Sequence, residues 1–235
     1  MRGGPEPGPP DFDPEEGDDA MQDVFSNFDL VLRAFLLTLE LLVVSGLISL
    51  LLGGLLASFR VGPVPVLRWF GTGYVSVFRN TPLLIIFIFV FFGLPRLHVD
   101  FPFFVKGCVA LSLYTAAFVC EAIRAGVNSI PLGQAEAARA IGLTFSRTMS
   151  QVILPQAVRA VVPPLASVMI ALAKNTSVAA GFGLLEATGR MRFFTNNNVA
   201  DRWWIFLTFA LGYVLIVELI SSGALTLERR WRTAR

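Results

Sequence analysis

The sequence predicts an all-α integral membrane protein, a helical bundle of about five transmembrane helices. Three observations predict it. Of 235 residues, 54% are hydrophobic and only 15% are charged, whereas a typical soluble domain is about a quarter charged. The mean hydropathy is +0.66. The apolar residues also fall into five runs, and a helix needs roughly 20 such residues to cross a hydrocarbon core of about 30 Å. At this length one compact domain is expected.

The first run extends from about Leu30 to Phe59, with Arg33 near its start and Glu40 inside it. The second, Thr81 to Leu94, is short. The amphipathic stretch before it, from Val66, either lies at the interface or lengthens the span. The third covers Pro102 to Ala125. The fourth begins near Ile153 and ends between Lys174 and Leu185. The fifth runs from Trp203 to about Leu227 and opens on Trp203-Trp204, an aromatic pair suited to a membrane interface.

Charge divides the chain. Residues 1–29 carry nine acids and one base, a balance of −8, and the rest balances at +10. Residues 1–25, acidic and rich in Pro and Gly, bury little and are expected to be disordered. Residues 26–230 form a single transmembrane domain, and 231–235 a basic cytoplasmic tail. An acidic start also lacks the basic region of a cleavable signal. Short loops rich in Lys and Arg stay in the cytoplasm. The side holding Arg60, Arg68, Arg79, Arg124, Arg139, Arg147, Arg159 and the C-terminal arginines carries eleven bases against seven opposite. The C-terminus is therefore expected inside and the N-terminus outside. The bases form no continuous stripe, which argues against a nucleic-acid partner.

Polar residues within the apolar runs are the candidate site. A charge facing lipid is costly, so such residues usually face a bundle interior or a cavity. Lys174-Asn175-Thr176-Ser177 interrupts an otherwise apolar stretch. It reads either as a translocation pathway or gate, or as a network holding helices together. Glu121 has two candidate partners, Lys174 and, three residues on along the same helix face, Arg124. Arg79-Asn80-Thr81-Pro82 opens the second run. Thr81, or else Asn80, is placed to cap that helix, and a pathway role is the other reading. Cys108 and Cys120 lie about 18 Å apart on one helix and cannot pair.

The loop between the third and fourth runs, residues 127–155, reads as helix, glycine break, helix. Gln134 to Ile141 is rich in helix formers. Gly142 is suited to a left-handed helix end, Thr144 or Ser146 to capping the next helix, and Pro155 to entry into the fourth run. Two short helices outside the membrane suggest either a docking surface or a plain connector.

Here the residues resemble a known family. Glu136-Ala137-Ala138, then Gly142 after three residues, then Leu154-Pro155, resemble the EAA loop of prokaryotic ABC importer permeases, with Val152 where that pattern has Ile. FRNTPLL (78–84), GQAEAARAIGL (133–143), LPQAVRAVVPPL (154–165) and ALAKNTSVA (171–179) are similar to the polar amino-acid uptake branch, and within it to actinobacterial glutamate-type permeases. The resemblance implies a type I permease whose cytoplasmic helix-turn-helix loop couples to a separate ATPase. It also implies a second, related permease in a heterodimer and an extracytoplasmic amino-acid-binding protein. No cofactor is expected in this chain, since ATP and Mg belong to the ATPase.

The residues agree with a non-catalytic role. A phosphate-binding loop needs Gly-Lys followed by Ser or Thr, but Lys106 follows Val105 and Lys174 follows Ala173. His98 is the sole histidine and is expected in a surface loop, so no metal site is expected. A stand-alone secondary transporter or channel is the alternative, but it leaves the EAA-like loop without a purpose. A membrane enzyme using Glu121, Lys174 and Glu218, and a non-transporting scaffold, are weaker readings for the same reason.

Overall fold

A computed structural model describes residues 27–197 and 202–232, with side chains through residue 227. The expected disordered tail and residues 233–235 lie outside the described residues. Every regular element among the described residues is helical.

Helix α1 spans Phe28–Val61. Its buried face is mostly small and hydroxylic, including Ala34, Thr38, Ser45, Gly46, Ser49 and Gly53, with Leu41 and Leu56 among the larger buried residues. In lipid this is what brings helices together, because apolar bulk gains nothing over lipid tails. The large apolar residues Leu32, Leu36, Leu47 and Leu51 point outward instead. At Gly53 a Cβ would lie 2.6 Å from Val119 and 2.8 Å from the carbonyl oxygen of Ala116. Helix α4, Phe103–Asn128, therefore packs against α1 almost backbone to backbone.

Between them the chain bends. Helix α2, Pro65–Asn80, meets α3, Leu83–Arg96, at 103°. The cause is local, since a residue before proline is driven out of the helical region. Thr81, before Pro82, has φ −95 and ψ 127. Asn80 Nδ2 donates to the carbonyl of Ser76 and Thr81 Oγ1 to that of Val77, both at 2.8 Å. These side chains close α2. They do not cap α3, contrary to the expectation for Thr81 and Asn80. Residue Pro82 holds the cap position of α3, without a side-chain bond. Helix α3 passes through a π-helical turn, Phe89–Gly93. It ends at Arg96, and His98, with φ 62, lies exposed in the following turn.

That loop is pinned by one ion pair. Lys106 Nζ, 6% exposed as a residue, lies between the rings of Phe91 and Phe103 and reaches Asp100 Oδ1 at 2.6 Å. The Lys106 hydrogen bond holds the Asp100 carboxyl below its ordinary range. A lowered carboxylate value means that the contact is complete above the unfolded value of about 3.9 and is lost as pH falls through the folded one. Hydrogen exchange of residues 97–102 is therefore expected to stay protected from neutral pH down to that range and to open below it. Equal exchange at all acid pH values would contradict this.

After α4 come a short helix α5, Leu132–Ala140, and a long helix α6. Helix α6 starts with one turn, Phe145–Arg147, passes through a π-helical stretch, Thr148–Ile153, and continues as Leu154–Asn175. At Gly126 a Cβ would lie 2.3 Å from Val161 Cγ2 and 3.0 Å from the backbone nitrogen of Val161, so α4 and α6 touch beside the α5 loop. The α6 helix tightens into a 3-10 helix, Thr176–Phe182, closed by Gly183 at φ +88. Helices α7, Ala187–Asn197, and α8, Arg202–Arg232, complete the chain. Among the described residues four helices are long and apolar enough to cross a membrane, and the bent pair α2–α3 passes the same test when its two helices are taken together, which makes up to five.

Candidate functional site

At the α5 end of the bundle lies the loop singled out from sequence. Helix α5 ends in two bonds that define a left-handed termination. Gly142 N donates to the Arg139 carbonyl at 3.0 Å and Leu143 N to that of Ala138 at 3.1 Å, with Gly142 at φ +83. Thr144 Oγ1 then accepts from Arg147 N at 3.5 Å and caps the start of α6. Ala138 is buried under the π-helical stretch, and Gln156 Nε2 reaches Gln134 Oε1 at 3.5 Å across the two helices. Glu136, Ala137, Gly142, Leu154 and Pro155 stay exposed. Around them Leu132, Ile141 and Phe145 are 82%, 79% and 76% exposed. Apolar side chains this exposed, gathered around one turn, are the kind of surface that an interaction partner can cover.

A second cluster centres on Glu121. It pairs with Arg60, with Arg124 at 3.1 Å and with Arg79 at 3.6 Å. Arg60 also lies 3.9 Å from Cys120 Sγ, and Arg79 stacks 5.8 Å over Phe118. Three cations on one carboxylate leave two positive charges in excess. The arrangement ties the ends of α1 and α2 to α4. The expected pairing with Arg124 is present, but Glu121 does not meet Lys174, which faces a different space. Arg60 comes from 61 residues away.

The Lys174–Ser177 cluster sits where α6 changes to the tighter helix, and it is split three ways. Lys174 and Ser177 line a cavity of about 540 Å³, together with Thr188, Tyr213 and Glu218 and an apolar wall that includes Met191 and Phe206. Asn175 lines a smaller space of about 360 Å³ with Tyr114, Thr115 and Ser167. Thr176 is fully buried, with its hydroxyl donating to the Ala173 carbonyl at 2.7 Å. Arg79, Asn80 and Thr81 line neither cavity.

Beside the larger cavity lies a carboxylate that the sequence pattern does not single out. Glu186 has 0% exposure. Its Oε2 accepts from Tyr213 Oη at 2.7 Å and from Thr188 N at 3.1 Å, and its Oε1 accepts from Gly189 N at 3.0 Å. Ala187 N donates to Thr38 Oγ1 at 3.1 Å and Arg190 N to the Glu186 carbonyl at 2.9 Å. The N–H groups of the first three residues of α7, which have no partner within the helix, are thus satisfied by Glu186 and by Thr38 of α1, and the Arg190 bond is the first of the helix's own. An acid before a helix start is readable from sequence as a cap, but its burial is not.

The model of one protein family, "Binding-protein-dependent transport system inner membrane component", matches residues 49–233. The chain belongs to this family. This inner membrane component is 38% identical over 208 residues to the glutamate transport system permease protein GluC of Corynebacterium efficiens, covering 82% of this chain and 90% of that one. It is also 38% identical over 210 residues to the probable glutamine ABC transporter permease protein GlnM of Bacillus subtilis, covering 88% and 95%. Among solved structures, an amino acid ABC transporter with histidines superposes with a TM-score of 0.82 at 26% identity, over 89% of this chain and 97% of that one. The MetNI methionine ABC transporter superposes with a TM-score of 0.70 at 21% identity, over 88% and 98%, and speaks for the fold alone. The multi-pass bundle of this inner membrane component is that of an importer permease.

Proposed function

We propose that the chain is the membrane-spanning subunit of an ABC importer for a polar amino acid, glutamate above all, in a bacterial cell membrane. The observation that carries this reading is the projecting α5–α6 turn, with exposed Glu136, Leu132, Ile141 and Phe145 around a rigid left-handed Gly142. A separate ATPase, holding ATP and Mg, grips that turn. A second, related permease completes the pathway, and an extracytoplasmic binding protein delivers the solute. The α5 end and the C-terminus face the cytoplasm, and the N-terminus faces outside. Closure of the ATPases would move the spans as rigid bodies.

The amino acid passes through the cavity of Lys174, Asn175 lies in the adjoining smaller space, and the Glu121–Arg79 cluster acts as the gate at the α5 end. A cavity with a cation, Lys174, and an anion, Glu218, among apolar residues suits a zwitterion. The test has two parts. Co-purification with the cognate ATPase is expected, and uptake of radiolabelled glutamate is expected to exceed that of glutamine, arginine and cystine. In the purified permease–ATPase complex, Lys174→Gln is expected to weaken glutamate binding at least about tenfold, the scale of one lost charged hydrogen bond. Unchanged binding would remove the cavity from the pathway. Uptake that needs no ATPase would return the chain to the class of stand-alone transporters.

A further inference from the structure

Glu186 lies outside the residues just assigned, yet it controls two that line the cavity. A tyrosine hydroxyl has one hydrogen. Tyr213 Oη is 2.7 Å from Glu186 Oε2, whose carboxylate also accepts two backbone N–H groups. The Tyr213 hydrogen is therefore committed to Glu186. Thr188 Oγ1 is 2.9 Å from Tyr213 Oη. Because the tyrosine has no hydrogen left to give, Thr188 must be the donor in that contact. Both hydroxyls then turn only lone pairs toward other partners.

Tyr213 and Thr188 line the same cavity as Lys174 and Glu218. No lysine or arginine among the described residues forms an ion pair with Glu186. Nor is Glu186 itself among the cavity's lining residues. Its effect on the cavity runs through the two hydroxyls it orients.

We infer that Glu186 is a positioning residue that polarises Tyr213 and Thr188 into a pure acceptor wall, which recognises the ammonium group of the transported amino acid. The inference rests on the cavity reading above. It fixes the direction of the ligand, with the carboxylate at Lys174 and the ammonium group at Tyr213, Thr188 and Glu218. Specificity then comes from a site whose polar groups are left unpaired by a ligand lacking the amine.

The purified permease–ATPase complex, without binding protein, tests this by equilibrium binding of radiolabelled L-glutamate and of glutarate, its analogue without the amine. In Glu186→Gln the acceptor of the Tyr213 hydrogen changes from a carboxylate to a weaker, neutral amide, so the hydroxyl is no longer held in one direction. Glutamate binding is expected to weaken about tenfold while glutarate binding stays the same, the loss expected for one misdirected hydrogen bond to a charged group. Tyr213→Phe removes the acceptor while leaving the bonds from Thr188 N and Gly189 N to Glu186 in place, and is expected to give the same selective loss. It serves as the second variant if Glu186→Gln does not fold. A purely structural role would weaken both ligands together, and that result, or an unchanged ratio, overturns the inference. Lys174→Gln separates the two levels. If it weakens neither ligand, the cavity reading fails. If it weakens both while Glu186→Gln and Tyr213→Phe leave the ratio intact, only the role of Glu186 fails.

Discussion

In Gly142→Pro the ATPase is expected no longer to co-purify with the permease, and uptake to fall to background. Proline holds φ near −65° and has no N–H. Gly142 has φ +83 and donates its N–H to the Arg139 carbonyl. Both requirements fail at once, and the Leu143–Ala138 bond that depends on the same turn goes with them. Glu136 and the exposed Ile141 and Phe145 then lose their fixed relation. The spans are untouched, so the variant is expected to insert and fold, which fluorescence-detected size-exclusion chromatography checks. Gly142→Ala, which keeps the N–H at a cost of about 1 kcal/mol for the left-handed conformation, is expected to retain part of the uptake. Wild-type uptake in Gly142→Pro would show that the turn transmits nothing.

Glu121→Ala is the second large effect. It leaves Arg60, Arg79 and Arg124 facing one another without their shared anion. Removing one partner of a fully buried ion pair costs roughly 3–5 kcal/mol. The Glu121 side chain is 22% exposed and those of the arginines 12–47%, so solvent takes up part of this. A cost of about 2 kcal/mol remains, or about 5 °C in the unfolding midpoint for a domain of this size. Thermal melts of the solubilised protein followed by tryptophan fluorescence measure it. Adding Arg79→Ala to Glu121→Ala removes one uncompensated cation and is expected to recover part of the loss. If the second change instead lowered the midpoint further, repulsion among the arginines would not be the cause.

The spans and the α5–α6 turn could be read from sequence because their causes are local. Lipid demands long apolar runs, and a glycine between two short helical patterns marks a left-handed end. The α2–α3 bend was half legible: a helix start at residues 79–82 was expected, but the expectation that Thr81 or Asn80 caps it missed that both side chains bond backwards, to Val77 and Ser76. The Glu121 cluster and Glu186 were not legible for a different reason. Arg60 and Glu121 meet only because small residues let α1 and α4 approach at Gly53. Glu186 is buried only because Thr38 and Tyr213, 148 and 27 residues away, converge on it. Local pattern carries no trace of either partner. It likewise could not show that four consecutive polar residues, Lys174 to Ser177, divide between two cavities and the core when the helix tightens.

If an ATPase pushes on the α5 turn as proposed, the contact between Gly126 and Val161 would set how that push is passed on. The two long helices that frame the turn already touch there, with Val161 N 3.0 Å from where a Cβ on Gly126 would stand. Neither helix has room to yield toward the other, so they behave as the two legs of a clamped fork. On the proposed coupling, a tilt applied at the tip would move both legs together, toward the end of α6 where Lys174 stands.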